Sequence, residues 1–315
     1  MILELLVLAS ALAVGFNIGA NDAANTMGAC VGGGALGLRR AVTLAAVFVF
    51  LGGILGTKVT ETISEGIVAP SELTSPVVVV CLLASGGLVA LATLRGLPVS
   101  TSHAVVMAIV GAGLALEAKL NTTQLFWMAS AWVIFPLATI PLSFLIVRTV
   151  KKGLSRAKTL VGFEIAIKYL LIFSGIYASF ALGASHAGLA GGLLEGSGFI
   201  GRFPATIASS LAIGVGVFLL SRRVIRTIGR EITSLSPVSA LAMQLSAAIG
   251  LMVCSILGYP ISSSQGIVAA AIGVGLSEGR TSVNRRKIGS IVLSWLLVPA
   301  GAVAICFLLV RTVIM

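Results

Sequence analysis

Residues 19–25 read Gly19-Ala20-Asn21-Asp22-Ala23-Ala24-Asn25, which is a polar, glycine-containing interruption of an apolar segment. A weaker copy follows 164 residues later, as Gly183-Ala184-Ser185-His186-Ala187-Gly188-Leu189. A second motif is also doubled, at a spacing of 162 residues: Pro98-Val99-Ser100-Thr101-Ser102-His103-Ala104 and Pro260-Ile261-Ser262-Ser263-Ser264-Gln265-Gly266. Paired polar breaks within apolar segments are typical of membrane proteins built from two repeats that hold a ligand between them. We therefore predict a duplicated chain whose site lies at these motifs.

The composition places the chain in a lipid bilayer. Of its 315 residues, 57% are hydrophobic and only 10% are charged, whereas soluble domains carry about 25% charged residues. Apolar runs of about 20 residues recur from end to end, which predicts an all-α, polytopic membrane protein with about ten spans, within a range of about eight to twelve. The net charge of +11 does not indicate a nucleic-acid partner, because the basic residues punctuate the apolar runs. The four cysteines have no metal-ligand spacing, and we expect neither cofactor nor metal site.

The charge distribution predicts how the two halves are arranged. We expect a first membrane repeat at residues 1–147, a basic cytoplasmic linker at 148–158 and a second membrane repeat at 159–315. With five crossings per half and the N-terminus outside, sixteen of the 21 basic residues fall in cytoplasmic loops, as the positive-inside rule requires. An odd number of crossings makes the repeats inverted and leaves both termini outside. We also expect helix breaks at Asn21-Asp22 and at Ser185-His186, and short half-helices beginning near His103 and Gln265.

Asp22 indicates a cation site. A carboxylate at mid-membrane depth costs about 2.5–3.5 kcal/mol, so it needs a partner, and no basic residue is close in sequence. Asn21, Asp22 and Asn25, together with carbonyls freed at a helix break, would supply hard oxygen ligands for a small cation such as Na⁺. The alternative is a polar cluster that joins two helices by hydrogen bonds, although that role rarely needs a full charge.

The serine-rich motifs indicate an anion site. Each reads as a helix start inside the membrane, where a serine or threonine caps free N–H groups that favour negative charge. Two such starts facing each other would surround a tetrahedral oxyanion, whereas the alternative is simple capping of two buried helix ends. The predicted anion-binding residues are Ser100, Thr101, Ser102, Ser262, Ser263, Ser264 and Gln265. His103, Ser185 and His186 are further candidates for a proton or anion contact, and either histidine could instead be an ordinary core residue.

These motifs resemble those of the inorganic phosphate transporter (PiT) family. Residues 19–25 and 98–103 are similar to that family's first-repeat motifs, and residues 260–265 are similar to its second serine/threonine motif. The resemblance covers the whole chain. It implies secondary active import of inorganic phosphate across the plasma membrane, driven by Na⁺ or H⁺ symport with alternating access. It also implies a homodimer.

The chain departs from the family at the second Asn/Asp motif. Family members usually repeat the Asn-Asp pair there, but this chain has Ser185, His186 and Leu189. One carboxylate of the expected pair is absent, so we expect fewer coupling cations, with a protonated His186 offsetting anion charge that Na⁺ would otherwise neutralise.

Three other functions are weighed against phosphate import. Sulfate or another tetrahedral oxyanion fits the same hydroxyl-lined site. An anion channel is a remote alternative, because a channel favours rings of like residues rather than two broken repeats. A membrane hydrolase using Ser185 and His186 is disfavoured, because adjacent helical residues do not face each other and the motif lacks the nucleophile-elbow spacing. We therefore expect no enzymatic activity.

Overall fold

The computed structural model describes residues 2–94, 99–154, 159–232, 236–279 and 285–315, and those residues form helices and no strand. Pro98, Arg95, Arg280 and residues 155–158 of the predicted linker lie outside this description. The helices of the first half are α1 (Ile2–Asp22), α2 (Ala24–Gly32), α3 (Leu38–Leu55), α4 (Thr57–Glu65), α5 (Ser75–Leu94), α6 (Thr101–Ala115) and α7 (Thr122–Leu154). Those of the second half are α8 (Leu160–Gly196), α9 (Arg202–Ile232), α10 (Pro237–Ile256), α11 (Ser263–Ser277) and α12 (Arg285–Leu309).

The lengths of the helices confirm a multi-pass membrane protein. Eight helical segments within the described ranges are long and apolar enough to cross a bilayer, and α1 with α2 counts as one of them. Helices α6 and α11 are apolar but have only 15 residues each, too few for a crossing of about 20 residues. This agrees with the half-helices predicted near His103 and Gln265.

The first Asn/Asp motif interrupts the helix at a single residue. Helix α1 ends at Asp22 and α2 begins at Ala24. Ala23 itself keeps helical angles, with φ −59° and ψ −24°, and its carbonyl accepts from the amides of Thr26 and Met27 at 3.1 and 3.3 Å. The predicted unwinding is therefore confined to one residue, and Asn21, Asp22 and Asn25 sit on either side of it.

The break predicted at the second motif is wrong, because α8 runs without interruption from Leu160 to Gly196. Its glycines serve close helix packing rather than unwinding. A Cβ at Gly183 would lie 1.9 Å from the carbonyl oxygen of Val49, and one at Gly188 would lie 2.4 Å from the amide nitrogen of Thr60. Glycine is thus required there so that α3 and α4 can approach α8.

Two other boundaries differ from the prediction. Helix α7 extends to Leu154, so the first part of the expected linker is helical. Lys151 and Lys152 lie in the last turn of α7, where cations stabilise the negative end of the helix dipole. The short helix α4 was not predicted, because its sequence is not apolar enough to read as a span.

The helices of the two halves contact each other reciprocally. A Cβ at Gly19 would lie 1.9 Å from the carbonyl oxygen of Ile213, and the equivalent distance from Gly183 to Val49 is also 1.9 Å. Gly19 and Gly183 are 164 residues apart, as are Val49 and Ile213. The same contact therefore occurs twice, with the roles of the halves exchanged.

Other contacts follow the same exchange. Gly52 lies against the carbonyl of Phe180, and Gly216, 164 residues further on, lies against the carbonyl of Phe16. At the level of whole helices, α1 packs on α9 and α8 packs on α3, while α6 packs on α12 and α11 packs on α7. Each half completes its packing with helices of the other, which places α6 and α11, and hence both serine motifs, inside the bundle.

We expect Gly183→Ala and Gly19→Ala to destabilise the fold by about 1–3 kcal/mol each, because the new methyl group would overlap a backbone carbonyl that cannot move alone. Gly87→Ala is the matched control, since that helical glycine is exposed and has nothing within 4 Å of a built Cβ. Thermal unfolding of the purified protein in detergent measures the effect. Equal midpoints for Gly183→Ala and Gly87→Ala would contradict the packing role.

Candidate functional site

The four motifs meet in the middle of the bundle. The amide nitrogen Nδ2 of Asn25 donates to Ser263 Oγ at 3.2 Å, which joins the first Asn/Asp motif to the second serine motif. Asp22 Oδ2 lies 3.7 Å from His186 Nε2, which joins α1 to the second, altered copy of the Asn/Asp motif. Ser102 Oγ donates to the carbonyl oxygen of Ile261 at 2.8 Å, which joins the two serine motifs.

Helices α6 and α11 both begin inside the protein with a serine cap. Ser100 Oγ accepts from the amide of His103 at 3.2 Å, and Ser262 Oγ accepts from the amide of Gln265 at 3.4 Å. The two caps have similar backbone angles (φ −97° and −91°, ψ 110° and 118°) and both are buried. Each cap satisfies one N–H of its helix start, so the remaining N–H groups and the positive end of each dipole stay directed at the same buried region.

Asp22 is the charged centre of the site. It is 3% exposed and its neighbour His186 is 1% exposed, so the carboxylate is removed from water. The Ser263 hydroxyl lies close to it. Among the described residues, His186 is the only titratable group that lies within ion-pair distance of Asp22. Among the described residues, the partners of Asp22 are therefore one histidine and one hydroxyl.

Within the described part of the chain, five buried polar atoms of the motifs have no hydrogen-bond partner. They are Thr101 Oγ1, His103 Nε2, Ser185 Oγ, His186 Nδ1 and Gln265 Oε1. An unpaired buried polar atom costs about 1–3 kcal/mol, and native proteins contain few of them. Their concentration in the duplicated motifs makes these groups candidates for contact with a ligand.

The site is closed in this structure. The cavity between α2, α8, α10 and α11 has a volume of only about 10 Å³ and is lined in part by Asn25, Thr26, Gln244 and Ser263. Such a volume holds about one water molecule and is too small for an oxyanion. An oxyanion could enter this point only if the helices around Ser263 separated.

Three of the predicted site residues, His103, Asn21 and Ser264, lie away from the centre of the site. His103 stacks on Trp132, with ring centroids 4.0 Å apart, and the Trp132 indole donates to the carbonyl oxygen of Pro260 at 2.9 Å. Trp132 thus connects His103 of the first serine motif to Pro260 of the second. Asn21 and Ser264 are half-buried, and within the described ranges neither has a hydrogen bond that joins it to another motif.

The structure adds two buried polar residues that the sequence did not single out. Gln244 donates to Ser174 Oγ at 2.7 Å and lines the small cavity beside Asn25 and Ser263. Ser209 is buried on α9, and its hydroxyl has no hydrogen-bond partner among the residues that the structure describes. Neither belongs to a motif that the sequence analysis recognised, so only their positions in the fold mark them.

The donors present suit a hard cation of low charge better than a transition metal. No cluster of three or more histidine, cysteine or acidic side chains occurs in the part of the chain that the structure describes. Asn21, Asp22 and Asn25 offer only carboxylate and amide oxygens, and these flank the interruption at Ala23.

Comparisons with known proteins agree with this architecture. The chain is 28% identical to the "Putative phosphate permease" of Pyrococcus furiosus, over 92% of each chain. It is 29% identical to the sulfate permease CysP of Bacillus subtilis, over 98% of this chain and 87% of CysP. It superimposes on a solved structure described as "The sodium-dependent phosphate transporter" with a TM-score of 0.83 and 26% identity, covering 98% of both chains.

The family comparison covers both pairs of motifs. A model of the phosphate transporter family matches residues 18–306, which include all four motifs and nearly every helix. The chain therefore belongs to the phosphate transporter family.

Proposed function

We propose that this protein imports inorganic phosphate across the plasma membrane by symport with Na⁺ or H⁺. One observation carries the proposal. Two helices that begin with a serine cap, at Ser100 and Ser262, start close to the buried carboxylate of Asp22 in a region without a large cavity. Family membership and the sodium-dependent relative support the same substrate and a cation driver.

The anion would be bound by dipoles and neutral donors rather than by fixed positive charge. Helix starts at Ser100 and Ser262 direct free N–H groups at one region, and an oxyanion at such a position is stabilised by both hydrogen bonds and the helix dipole. Thr101 and Ser185 add hydroxyl donors whose partners are absent among the described residues. A site of this kind can release its ligand more readily than one containing an arginine.

Ser263 links the anion to the coupling cation. It belongs to the second serine motif, yet it contacts both Asn25 and Asp22. A cation held by Asp22 and Asn25 would therefore lie one hydroxyl away from the anion, where opposite charges attract strongly because water is excluded. Each ion would favour binding of the other, which is the basis of symport.

Alternating access would open this sealed site to one side of the membrane at a time. Arg202 joins three glutamates at one end of the bundle: it bonds to Glu195 at 2.8 Å, to Glu61 at 3.6 Å and to Glu65. Since these residues lie on α4, α8 and α9, we propose that they close the outer entrance. The reciprocal contacts support repeats at 1–147 and 159–315, joined by the linker 148–158. Inverted orientation, external termini and a homodimer belong to the same proposal.

Sulfate is a second candidate substrate, and one feature of the site favours it. His186 occupies the position where the family usually has a second aspartate, so the site has one fewer acceptor for the proton of a phosphate. Sulfate carries no proton at neutral pH and needs only donors. The similarity to a sulfate permease over 98% of this chain supports the same alternative. Uptake of radiolabelled phosphate and sulfate, measured in parallel, distinguishes the two.

We expect Ser100→Ala and Ser262→Ala to raise the apparent KM for the transported anion severalfold, because each removes a hydroxyl and loosens a helix start at the site. Ser236→Ala is the matched control: Ser236 caps α10 by accepting from the Ser239 amide at 3.1 Å, away from the motifs. All three changes should cost about 1 kcal/mol of stability. An anion KM that stays unchanged in both site variants would remove the anion site.

We expect Asp22→Asn to abolish coupled uptake while leaving membrane insertion intact, because the shape is retained and only the charge that balances the cation is lost. Asn25→Ala should weaken the dependence on the cation without abolishing transport. Uptake into proteoliposomes, with protein incorporation measured in the same vesicles, tests both. Wild-type rates for Asp22→Asn would refute the coupling role.

We expect the wild-type protein to retain uptake driven by a pH gradient when Na⁺ is replaced by a large organic cation, because His186 takes the place of a second cation-binding carboxylate. His186→Asp should restore Na⁺ dependence. Proteoliposome uptake with imposed pH or Na⁺ gradients provides the measurement. Strict Na⁺ dependence of the wild type would contradict the role assigned to His186.

A further inference from the structure

Three arginines that are distant in sequence converge at one end of α3 and α9. The two helices pack antiparallel: Gly53 of α3 lies beside Ser210, and Gly214 of α9 lies beside Ala46. Their order brings the start of α3 to the level of Arg222. Arg39, Arg40 and Arg222 accordingly line a single cavity of about 600 Å³ together with Gly37 and Leu38.

No carboxylate of the described residues balances the positive charge of this cavity. None of the three arginines forms an ion pair with a carboxylate of the described residues. Arg202, at the other end of the α9 span, has three glutamate partners. Arg222 instead lies 5.9 Å over the ring of Phe218, a contact that leaves its positive charge uncompensated. Three guanidinium groups held together without a counter-charge favour an anionic ligand.

The start of α3 increases this preference. Its N-cap is Gly37, which has no side chain to accept from the first amides, and two arginines occupy its first turn. Cations at a helix N-terminus oppose the dipole, so this arrangement lowers the stability of α3 unless an anion is bound. The positive-inside rule would account for basic residues at this surface. It does not require that arginines of two different helices lie beside the same cavity.

The cavity lies at the depth of lipid headgroups. The apolar span of α9 ends at Arg222, and that of α3 begins at Leu38. Exposed apolar side chains continue from the cavity along both helices toward the membrane centre: Val47 and Leu51 on α3, and Val215, Phe218 and Leu219 on α9. A ligand with a charged head and long apolar chains fits both surfaces at once.

We propose that Arg39, Arg40 and Arg222 bind the phosphate group of an anionic phospholipid, whose acyl chains lie along the exposed faces of α3 and α9. Guanidinium groups bind phosphate oxygens in pairs through parallel N–H bonds, so three of them can enclose one headgroup. Basic pockets between helices at the cytoplasmic surface are suited to such headgroups. The bound lipid would hold the start of α3 against the end of the α9 span. This site is separate from the transport site and does not depend on the transported anion.

The test is native mass spectrometry of the purified full-length protein with phosphatidylglycerol and phosphatidylcholine at equal concentration. We expect the wild type to retain phosphatidylglycerol selectively. Arg39→Gln/Arg222→Gln should bind it about thirty-fold more weakly, since each arginine near an anionic lipid contributes about a factor of five. Lys58→Gln/Lys119→Gln is the matched control, because it removes two exposed charges elsewhere and should bind like the wild type.

Two further measurements keep the result interpretable. Size-exclusion chromatography and anion uptake in phosphatidylcholine vesicles should be the same for the arginine variant and the wild type, which shows that the variant is folded. Inorganic phosphate is titrated in parallel, with thermal unfolding as the readout. Equal retention of the two lipids, an unaltered affinity in the arginine variant, or a stabilisation by inorganic phosphate that is lost in that variant would each overturn the lipid site.

Discussion

The structure depends on keeping one carboxylate out of water. Asp22 lies at the end of α1, inside a bundle whose surroundings are lipid, where an unpartnered charge costs several kcal/mol. Its partners come from elsewhere in the chain, from His186 on α8 and from Ser263 at the start of α11. These contacts join the two halves at Asp22, where helices of each half also pack against helices of the other.

The two halves are alike in packing but unlike in chemistry. Glycines at matched positions permit the same close approach twice, so the backbone follows one plan in both halves. The serine caps at Ser100 and Ser262 keep the same geometry, whereas Asp22 faces His186 rather than a second aspartate. Under the proposed function, a shared scaffold would hold a nearly symmetric anion site beside an asymmetric coupling site.

The sequence predicted the class of fold, the half-helices and the serine caps, because apolar length and capping chemistry are local properties. It failed at α8, where a break was expected at Ser185-His186 although the helix is continuous and its glycines Gly183 and Gly188 permit close contact with α3 and α4. That distinction depends on neighbours that are far away in the chain. For the same reason Gln244 and Ser209 were missed, and His103 proved to stack on Trp132. The contact of Asn25 with Ser263 spans 238 residues and could only come from the fold.

The central claim is that an oxyanion binds between the starts of α6 and α11, within reach of Asp22. Arsenate has the shape and charge of phosphate, and its arsenic atom can be located in a crystal by anomalous X-ray scattering. The account predicts an anomalous peak bounded by Ser100, Ser262 and Ser263, with α6 and α11 separated to admit it. An empty site there, with the arsenic found at another position in the bundle, would contradict it.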